Sequence, residues 1–282
     1  MRYVLVFLVL MIFISGCISN DTPVRPLVEQ NEGYDTVPLN QQAVVTEQNE
    51  GYDINPKQQE YTTDAKTNDI DNPPLLLKSI GINIDSYDPA TEKAGDIVFT
   101  KSKLQFDVLF TEYGFTIPAD MSASGQNKRS PQPTFILPIG TKVRSIVDGI
   151  VVAVPTLYSG DYSIHVASSI NSQWRYETEH VTNPLVKPGD TVKAGQIIAE
   201  VSSYNKESNA GYGFVEIGIL KGGNPPQHIC PFVYLDPSVK DEIQNKLLAF
   251  YKSWEEYRGD TNLHDEANQA VPCCLTLDAI EG

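Results

Sequence analysis

The stretch "LVKPGDTVKAGQIIAEV", residues 185–201, consists of short apolar runs around two turns. The turns read Lys-Pro-Gly-Asp at 187–190 and Lys-Ala-Gly-Gln at 193–196, and residues of these types favour tight reversals of the chain. The valines and isoleucines beside them favour extended strands. This part of the chain is therefore predicted to be a β-hairpin, and its surroundings must decide which kind of domain contains it.

Residues 131–237 continue the same pattern. Several segments alternate apolar and polar residues with period two, as half-buried strands do. Gly, Pro, Asp or Asn separates them at short intervals, which favours a sandwich or barrel over a βαβ sheet. The predicted strands are TKVRSIV, GIVVAVP, YSIHVA, WRYETEHV, QIIAEV and GFVEIGIL.

After residue 237 the apolar period changes from two to three or four, which is typical of one face of a helix. Ser238 with Asp241 resembles a capping box, and Gly259 is a plausible helix end. We expect this helix to pack its aromatic face on the sheet. The periodic residues are Val239, Ile243, Leu247, Phe250, Trp254 and Tyr257.

The N-terminus has the pattern of an export signal. Arg2 precedes an apolar run at 4–14, which is too short to cross a bilayer but fits a signal-peptide h-region. Small residues then precede Cys17, and this arrangement resembles the lipobox of exported lipoproteins. We predict a lipoprotein signal peptide at 1–16 and a covalent lipid on Cys17, with an ordinary signal peptide as the alternative. The protein would be lipid-anchored to the cell membrane on its extracytoplasmic side.

Residues 17–73 are polar and contain few large apolar groups, so we predict a disordered tether. The heptad EQNEGYD occurs twice in it, at 29–35 and 47–53. We interpret the repeat as duplicated tether, with a short binding motif anchored by Tyr34 and Tyr52 as the alternative. Residues 74–129 have a mixed pattern and are predicted to cover the next domain.

Composition excludes one class of partner and constrains the cysteines. The chain has 36 acidic and 21 basic residues and a net charge of −15, so a nucleic-acid partner is not expected. In an exported protein, Cys230 is predicted to form a disulfide with Cys273 or Cys274, which leaves one thiol. No C-x-x-C spacing indicates a metal cluster.

Residues 130–235 resemble the M23 family of zinc peptidases, the lysostaphin-like endopeptidases. The similar segments are PIGTKVRSIVDGIVVAV, WRYETEHV, NPLVKPGDTVKAGQIIAEV, FVEIGI and CPFVYL, in the family's order. The resemblance implies a mainly β, lysostaphin-like antiparallel β-sandwich of the duplicated-hybrid-motif type at 130–237. A C-terminal helix and a disulfide-tied tail would follow at 238–282.

The same resemblance implies where zinc would bind in an active member. Two ligand positions fall on Ser130 and Thr134, and the third falls on Phe214. Of the two auxiliary histidine positions, one falls on Tyr212 and the other on His180, which is the only one retained. Because a phenyl ring cannot ligate zinc, we expect no metal here and no M23 reaction.

Two other kinds of site were considered. A swinging-arm carrier needs a lysine at the hairpin tip, and Asn205 stands there with Lys206 one position on. Among the other histidines, His165 is interpreted as a surface-facing or satisfied strand residue and His228 as structural. His264 falls in an acidic loop expected to be solvated.

The sequence therefore predicts a catalytically inactive M23-like lipoprotein that binds envelope glycan, peptide or protein, with no cofactor beyond its lipid. One alternative is an active metalloendopeptidase with a rebuilt zinc site that uses His180 with Glu179 or Glu216. A second is a structural envelope module. The predicted binding groove comprises Trp174, Tyr176, His180, Tyr212, Phe214 and Glu216.

Overall fold

Short extended segments dominate residues 93–229, because turn residues interrupt the β-branched runs every few positions. The structure, a computed structural model, describes residues 72–122 and 124–282. The predicted signal peptide, Cys17, both copies of EQNEGYD and nearly all of the tether lie outside the described residues. Within the described part, no helix has both the length and the apolar composition needed to cross a membrane.

The elements follow in chain order, and every strand pairing is antiparallel. The strands are β1 (Lys93–Ala94), β2 (Ile97–Val98), β3 (Phe110–Thr111), β4 (Thr116–Ile117), β5 (Lys128–Arg129), β6 (Thr134–Leu137), β7 (Lys142–Arg144), β8 (Gly149–Ala153), β9 (Tyr162–Ala167), β10 (Trp174–Thr182), β11 (Thr191–Val192), β12 (Ile197–Val201), β13 (Gly213–Lys221), β14 (Gln227–Ile229) and β15 (Ile280–Glu281). The α-helix is α1 (Lys240–Arg258), and 3-10 turns lie at Lys206–Ser208, Pro231–Tyr234 and Glu266–Asn268.

In the part of the chain that the structure describes, 11 strands form one sheet, and β1–β2 and β4–β5 form two separate hairpins. β10 and β13 pair with each other in the large sheet, and each is nine residues long. β9 pairs with the other edge of β10, and β6 pairs with the other edge of β13. All six strand segments predicted for residues 131–237 are present. The hairpin predicted at 185–201 is wrong, because β11 pairs with β8 and β12 pairs with β7 and β10 instead of with each other. The mainly β, antiparallel fold with a C-terminal helix is confirmed.

The ends of α1 are only partly as predicted. Gly259 ends the helix in the left-handed conformation, and its N–H donates to the Glu255 carbonyl at 2.7 Å. The capping box is wrong, because the Ser238 hydroxyl donates to Asp236 at 2.6 Å and Val239 occupies the N-cap position.

The aromatic face of α1 packs on residues 74–129 as well as on the sheet. Phe99, which follows β2, makes edge contacts with three rings of the helix at centroid distances of 5.2 to 5.8 Å, namely Phe250, Trp254 and Tyr257. Tyr251 lies against Phe110 of β3, with centroids 5.9 Å apart. Residues 74–129 therefore share one hydrophobic core with the sheet and the helix.

A disulfide joins Cys230, just after β14, to Cys274 near the C-terminus, while Cys273 keeps a free, buried thiol. The bridge fixes the tail beside the strand with which β15 pairs. The sequence left open which neighbouring cysteine pairs, and the structure assigns the bridge to Cys274.

Candidate functional site

Neighbouring strands place several charged side chains on one side of the sheet. Glu177 lies directly opposite His165 of β9, and Glu179 lies opposite Glu216 of β13. Glu216 in turn lies opposite Thr134 of β6. Because side chains alternate along a strand, these five residues share one face. We call it the polar face, and the intervening residues of β10, such as Tyr176 and Thr178, point to the other side.

A bulge in β10 adds His180 to this arrangement. The pairing of β10 with β9 shifts register between Thr178 and Val181, and His180 has a φ of 58°. A bulge of this kind re-aims a side chain that would otherwise point to the opposite face. His180 Nε2 lies 3.8 Å from Glu216 Oε2 on the polar face. Both Glu179 and His180 therefore direct their side chains to that face, although they are consecutive residues.

Two carboxylates and two aromatic rings surround the His180 imidazole. Its Nδ1 lies 3.2 Å from Asp161 Oδ2, and its ring stacks on Tyr204 at 3.8 Å between centroids. The ring of Phe214 meets the imidazole edge-on at 4.9 Å. We call these residues, with Glu216, the His180 group.

Charge in the His180 group favours a protonated imidazole. Burial lowers the pKa of His180, but the hydrogen bond to Asp161 and the charge of Glu216 outweigh it, so the pKa is raised overall. Burial raises the pKa of Asp161, but hydrogen bonds from His180, Ser159 and Ser202 lower it overall. The pKa of Glu216 is raised, chiefly by burial.

A second set of polar side chains lies deeper on the polar face. Glu177 is fully buried, and its Oε1 accepts hydrogen bonds from His228 Nε2 at 2.7 Å and from Gln132 Nε2 at 2.8 Å. The same amide of Gln132 lies 3.2 Å from Glu179 Oε2. His165 Nε2 is 3.7 Å from the other oxygen of Glu177, too far for a hydrogen bond. We call His165, Glu177 and Glu179 the buried triad.

Comparison with known proteins assigns the segment that carries these groups. Residues 134–225 match the model of peptidase family M23. These residues form an M23 peptidase-like domain. Its matched segment includes β6 to β13 and therefore most of the polar face. A comparison with curated proteins gives no match.

Solved M23 peptidases give partial matches to the chain. LytU is 25% identical over 41% of this chain and 74% of its own, with a TM-score of 0.33. The catalytic domain of lysostaphin from Staphylococcus simulans is 24% identical over 41% and 79%, with a TM-score of 0.31. A zinc-containing peptidase from Vibrio cholerae is 23% identical over 53% and 39%, with a TM-score of 0.32. These TM-scores are low, so the assignment depends on the family model.

The side chains at the expected zinc-ligand positions of the M23 peptidase-like domain do not fit a zinc ion. The Ser130 hydroxyl donates to the Gln132 carbonyl at 2.8 Å, and the Thr134 hydroxyl donates to Glu216 at 3.2 Å. Phe214 has no lone pair to offer, and its ring packs on His180 and Tyr204. The hydroxyls already have partners and the third group cannot ligate, so no step of the chemistry can be assigned to a metal held there.

The structure brings together only part of the predicted groove. His180, Phe214 and Glu216 lie in one group, but Trp174 and Tyr176 are buried on the opposite side of β10. The Tyr176 hydroxyl donates to the Leu75 carbonyl at 2.8 Å, and Trp174 lies beside Lys221 of β13. Placing these two residues in the groove was wrong, because strand alternation directs them to the core.

Tyr212 lies close enough to Glu92 of the 74–129 segment to feel its charge. Its ring is half-buried, and the pKa of its hydroxyl is raised by burial and then by the charge of Glu92. Glu92 precedes β1 and also accepts a hydrogen bond from Tyr257 of α1 at 3.4 Å. Tyr212 therefore faces the 74–129 segment and the helix.

Two histidines differ from their interpretation. His165 was expected to be exposed or satisfied, but its side chain is only 17% exposed, and among the described residues none forms a hydrogen bond with its Nε2. His264 was placed in a solvated acidic loop, but it is buried, stacks on Tyr251 at 3.9 Å and lies 3.0 Å from Glu112. His228 is fully buried and bonded to Glu177.

Sequence reasoning missed three members of the His180 environment. Asp161 follows Gly160 in a segment that resembles an ordinary turn, and Ser202 and Tyr204 follow β12. The Ser202 hydroxyl donates to Asp161 at 2.5 Å, so the strand ends are tied to one another beside His180. The local sequence shows only that Asp161 is an acidic residue at the start of a strand. It does not indicate that His180, 19 residues further on, is its partner.

Proposed function

We propose that the protein is an exported lipoprotein, anchored through Cys17, whose M23 peptidase-like domain binds envelope glycan, peptide or protein without cleaving it. The side chain of Phe214 carries this proposal. A phenyl ring at an expected ligand position, packed against the one retained histidine, leaves the family's zinc without a site. Binding without cleavage is the function that remains for such a surface.

The binding surface is the His180 group rather than the six residues predicted from the sequence. Tyr204 and Phe214 are partly exposed and perpendicular to each other, with centroids 5.0 Å apart. Aromatic faces suit sugar rings and extended peptides, and the neighbouring Glu216 and His180 supply hydrogen-bonding groups. Charge excludes nucleic acid as the partner, because the chain carries a net charge of −15.

The structural-module alternative receives less support. A module that merely presents residues 74–129 or the C-terminal helix would keep them separate from the sheet. Instead Phe99, α1 and the sheet share one hydrophobic core. Neither residues 74–129 nor the C-terminal helix is therefore a separate unit that the sheet merely carries.

The proposal is tested with the full chain purified in detergent and incubated with peptidoglycan or casein in buffer containing Zn²⁺. No soluble fragments are expected above the level of a heat-denatured sample. In a sedimentation assay, the protein should pellet together with cell-envelope material prepared from the organism that produces it. Cleavage that a chelator abolishes would contradict the proposal and favour the rebuilt metalloendopeptidase.

Matched variants locate the binding surface. The double change Tyr204→Ala and Phe214→Ala should reduce binding at least about tenfold, since stacking on each ring contributes about 1–3 kcal/mol where a planar group is bound. Ile170→Ala is the control, because Ile170 is an exposed apolar residue in the β9–β10 loop. Equal binding by the double variant and the control would exclude the His180 group as the surface.

A further inference from the structure

Each residue of the buried triad has a buried polar atom without a hydrogen-bond partner, and the three residues come together in one cluster. Within the described residues, Glu177 Oε2, Glu179 Oε1 and His165 Nε2 are buried and form no hydrogen bond. One ligand atom from each of these three residues lies within 4.8 Å of those from the other two, and His165 Nε2 is 3.7 Å from Glu177 Oε2. Buried polar atoms are nearly always paired, so three unpaired ones that converge indicate a missing partner.

A cation is the partner that suits these atoms best. Glu177 is fully buried, and Glu179 is 5% exposed. Two carboxylates removed from water so close together repel each other unless they share a proton or a cation lies between them, and a cation also engages the facing imidazole nitrogen. The hydrogen bonds from His228 and Gln132 reach the opposite oxygens, Glu177 Oε1 and Glu179 Oε2, and leave the facing oxygens uncompensated.

We propose that His165 Nε2, Glu177 Oε2 and Glu179 Oε1 bind one divalent transition-metal ion, for which Zn²⁺ is the best match. One imidazole nitrogen and two carboxylate oxygens are all zinc ligands, and three protein ligands with one water complete a tetrahedral ion. An imidazole nitrogen disfavours Ca²⁺ and Mg²⁺, which take oxygen ligands.

The surroundings of the buried triad have the form of a second ligand shell. Ligating carboxylates in metal sites are themselves held by hydrogen bonds, and here Gln132 holds both carboxylates while His228 holds Glu177. Gly218, opposite Glu177 on β13, provides the space, because a Cβ at that position would lie 2.4 Å from Glu177 Oε1. These groups hold Glu177 with its free oxygen 3.7 Å from His165 Nε2, and Gln132 also holds Glu179 beside it.

The proposed ion differs in place and role from a peptidase zinc. Its ligands come from β9 and β10, whereas the M23 ligand positions lie at Ser130, Thr134 and Phe214. The ion would enter beside His165, the ligand whose side chain is most exposed, at 17%. Because both carboxylates are buried, the ion stabilises the sheet rather than activating a substrate. The inference does not depend on the proposed binding function.

The test is calorimetric titration of the full chain, stripped of metal and free of affinity tags, with Zn²⁺. One ion per chain is expected to bind, and the melting temperature should rise with added Zn²⁺ but not with Ca²⁺ or Mg²⁺. Glu179→Gln keeps the shape of the side chain and should weaken Zn²⁺ binding more than about 100-fold, beyond the 10–100-fold typical of outer-shell changes. His165→Gln should do the same, and it alters the more exposed ligand.

Glu200→Gln is the matched control, because Glu200 is an acid of the same sheet whose partners are Lys142 and Asn183, and it lies outside the buried triad and the His180 group. Its Zn²⁺ affinity should stay within about threefold of the wild type, well below the cost of an outer-shell change. Absence of saturable Zn²⁺ binding by the wild type would overturn the proposal. So would unchanged affinity in folded Glu179→Gln and His165→Gln variants, or an equal loss in Glu200→Gln. X-ray absorption at the zinc edge should show nitrogen and oxygen ligands only, including an imidazole, and a sulfur ligand would also overturn it.

Discussion

His180 adopts a φ of 58°, a left-handed conformation that costs a residue with a side chain roughly 1–2 kcal/mol. The surrounding contacts must offset that cost, and the bond to Asp161 and the stack on Tyr204 are suited to do so. As a result of this conformation, the consecutive residues Glu179 and His180 of β10 both contact the polar face. Without the bulge, His180 would point into the core beside Tyr176, and the His180 group could not form.

Cys273 gives a prediction at the level of a single residue. Burial raises the pKa of its thiol to about 12, although the hydrogen bond from Tyr251 lowers it in part. At pH 8 the reactive thiolate is then about one part in ten thousand, compared with roughly a quarter for a free thiol. We expect Cys273 to resist maleimide in the native full chain and to react fully in urea.

Mass spectrometry of the labelled peptides checks this and separates Cys273 from Cys17. The bridged residues Cys230 and Cys274 serve as internal controls, because neither should react under non-reducing conditions. Labelling of Cys273 within minutes in the folded protein would contradict the burial of its thiol.

At the scale of an element, β13 organises the polar face through the sizes of its alternate residues. Three alternate residues of the strand lie on that face, namely Phe214, Glu216 and Gly218. The first two present a ring and a carboxylate, and the glycine leaves a gap. The gap at Gly218 accommodates Glu177 from the neighbouring strand. A glycine in a strand interior commonly marks such a close approach.

Gly218→Ala should therefore destabilise the fold by about 1–3 kcal/mol, the usual cost of overpacking. The added methyl group would displace the Glu177 carboxylate from its bonds to His228 and Gln132. The midpoint of urea unfolding measures the change. Gly222→Ala, just beyond β13, is the control, since its Cβ would come no nearer than 3.4 Å to another atom. Equal midpoints for the two variants would show that the gap has no role in stability.

At the scale of the whole molecule, residues 74–129 and the C-terminal helix behave as parts of one core around Phe99. This ring is 2% exposed and contacts Tyr87, Phe250, Trp254 and Tyr257. The Arg258 side chain also donates to backbone carbonyls of Thr100 and Ser102. The M23 peptidase-like domain is thus flanked on both sides by segments that are packed together.

Phe99→Ala should cost about 3–5 kcal/mol, as expected for removing a buried ring. Phe106→Ala should cost less, because Phe106 is half-buried and its ring stacks edge-on with Phe115 at 5.0 Å. Thermal unfolding of both variants should remain a single transition. Two transitions in Phe99→Ala, with the sheet melting separately, would mean that the flanks fold as independent units.

Sequence reasoning reached the fold and part of the site, for physical reasons that particular residues make clear. Strands with period two and turns with glycine are local signals, so the strands of residues 131–237 and the end of α1 at Gly259 were predictable. The bulge at His180 was not, because strict alternation assigns that residue to the wrong face. The contact between Asp161 and His180 and the clustering of the buried triad could not be predicted from sequence spacing either. Both depend on strand register, which tertiary packing sets.

Whether the bridge between Cys230 and Cys274 has formed reports the redox state of the compartment in which the chain folded. Residues 72–282 contain three cysteines, so a copy that matured in an oxidising compartment carries one thiol there, and a copy retained in a reducing one carries three. Counting thiols on protein taken from cell fractions, after unfolding, therefore tests the proposed export, because one thiol in these residues indicates an oxidising compartment and three indicate a reducing one.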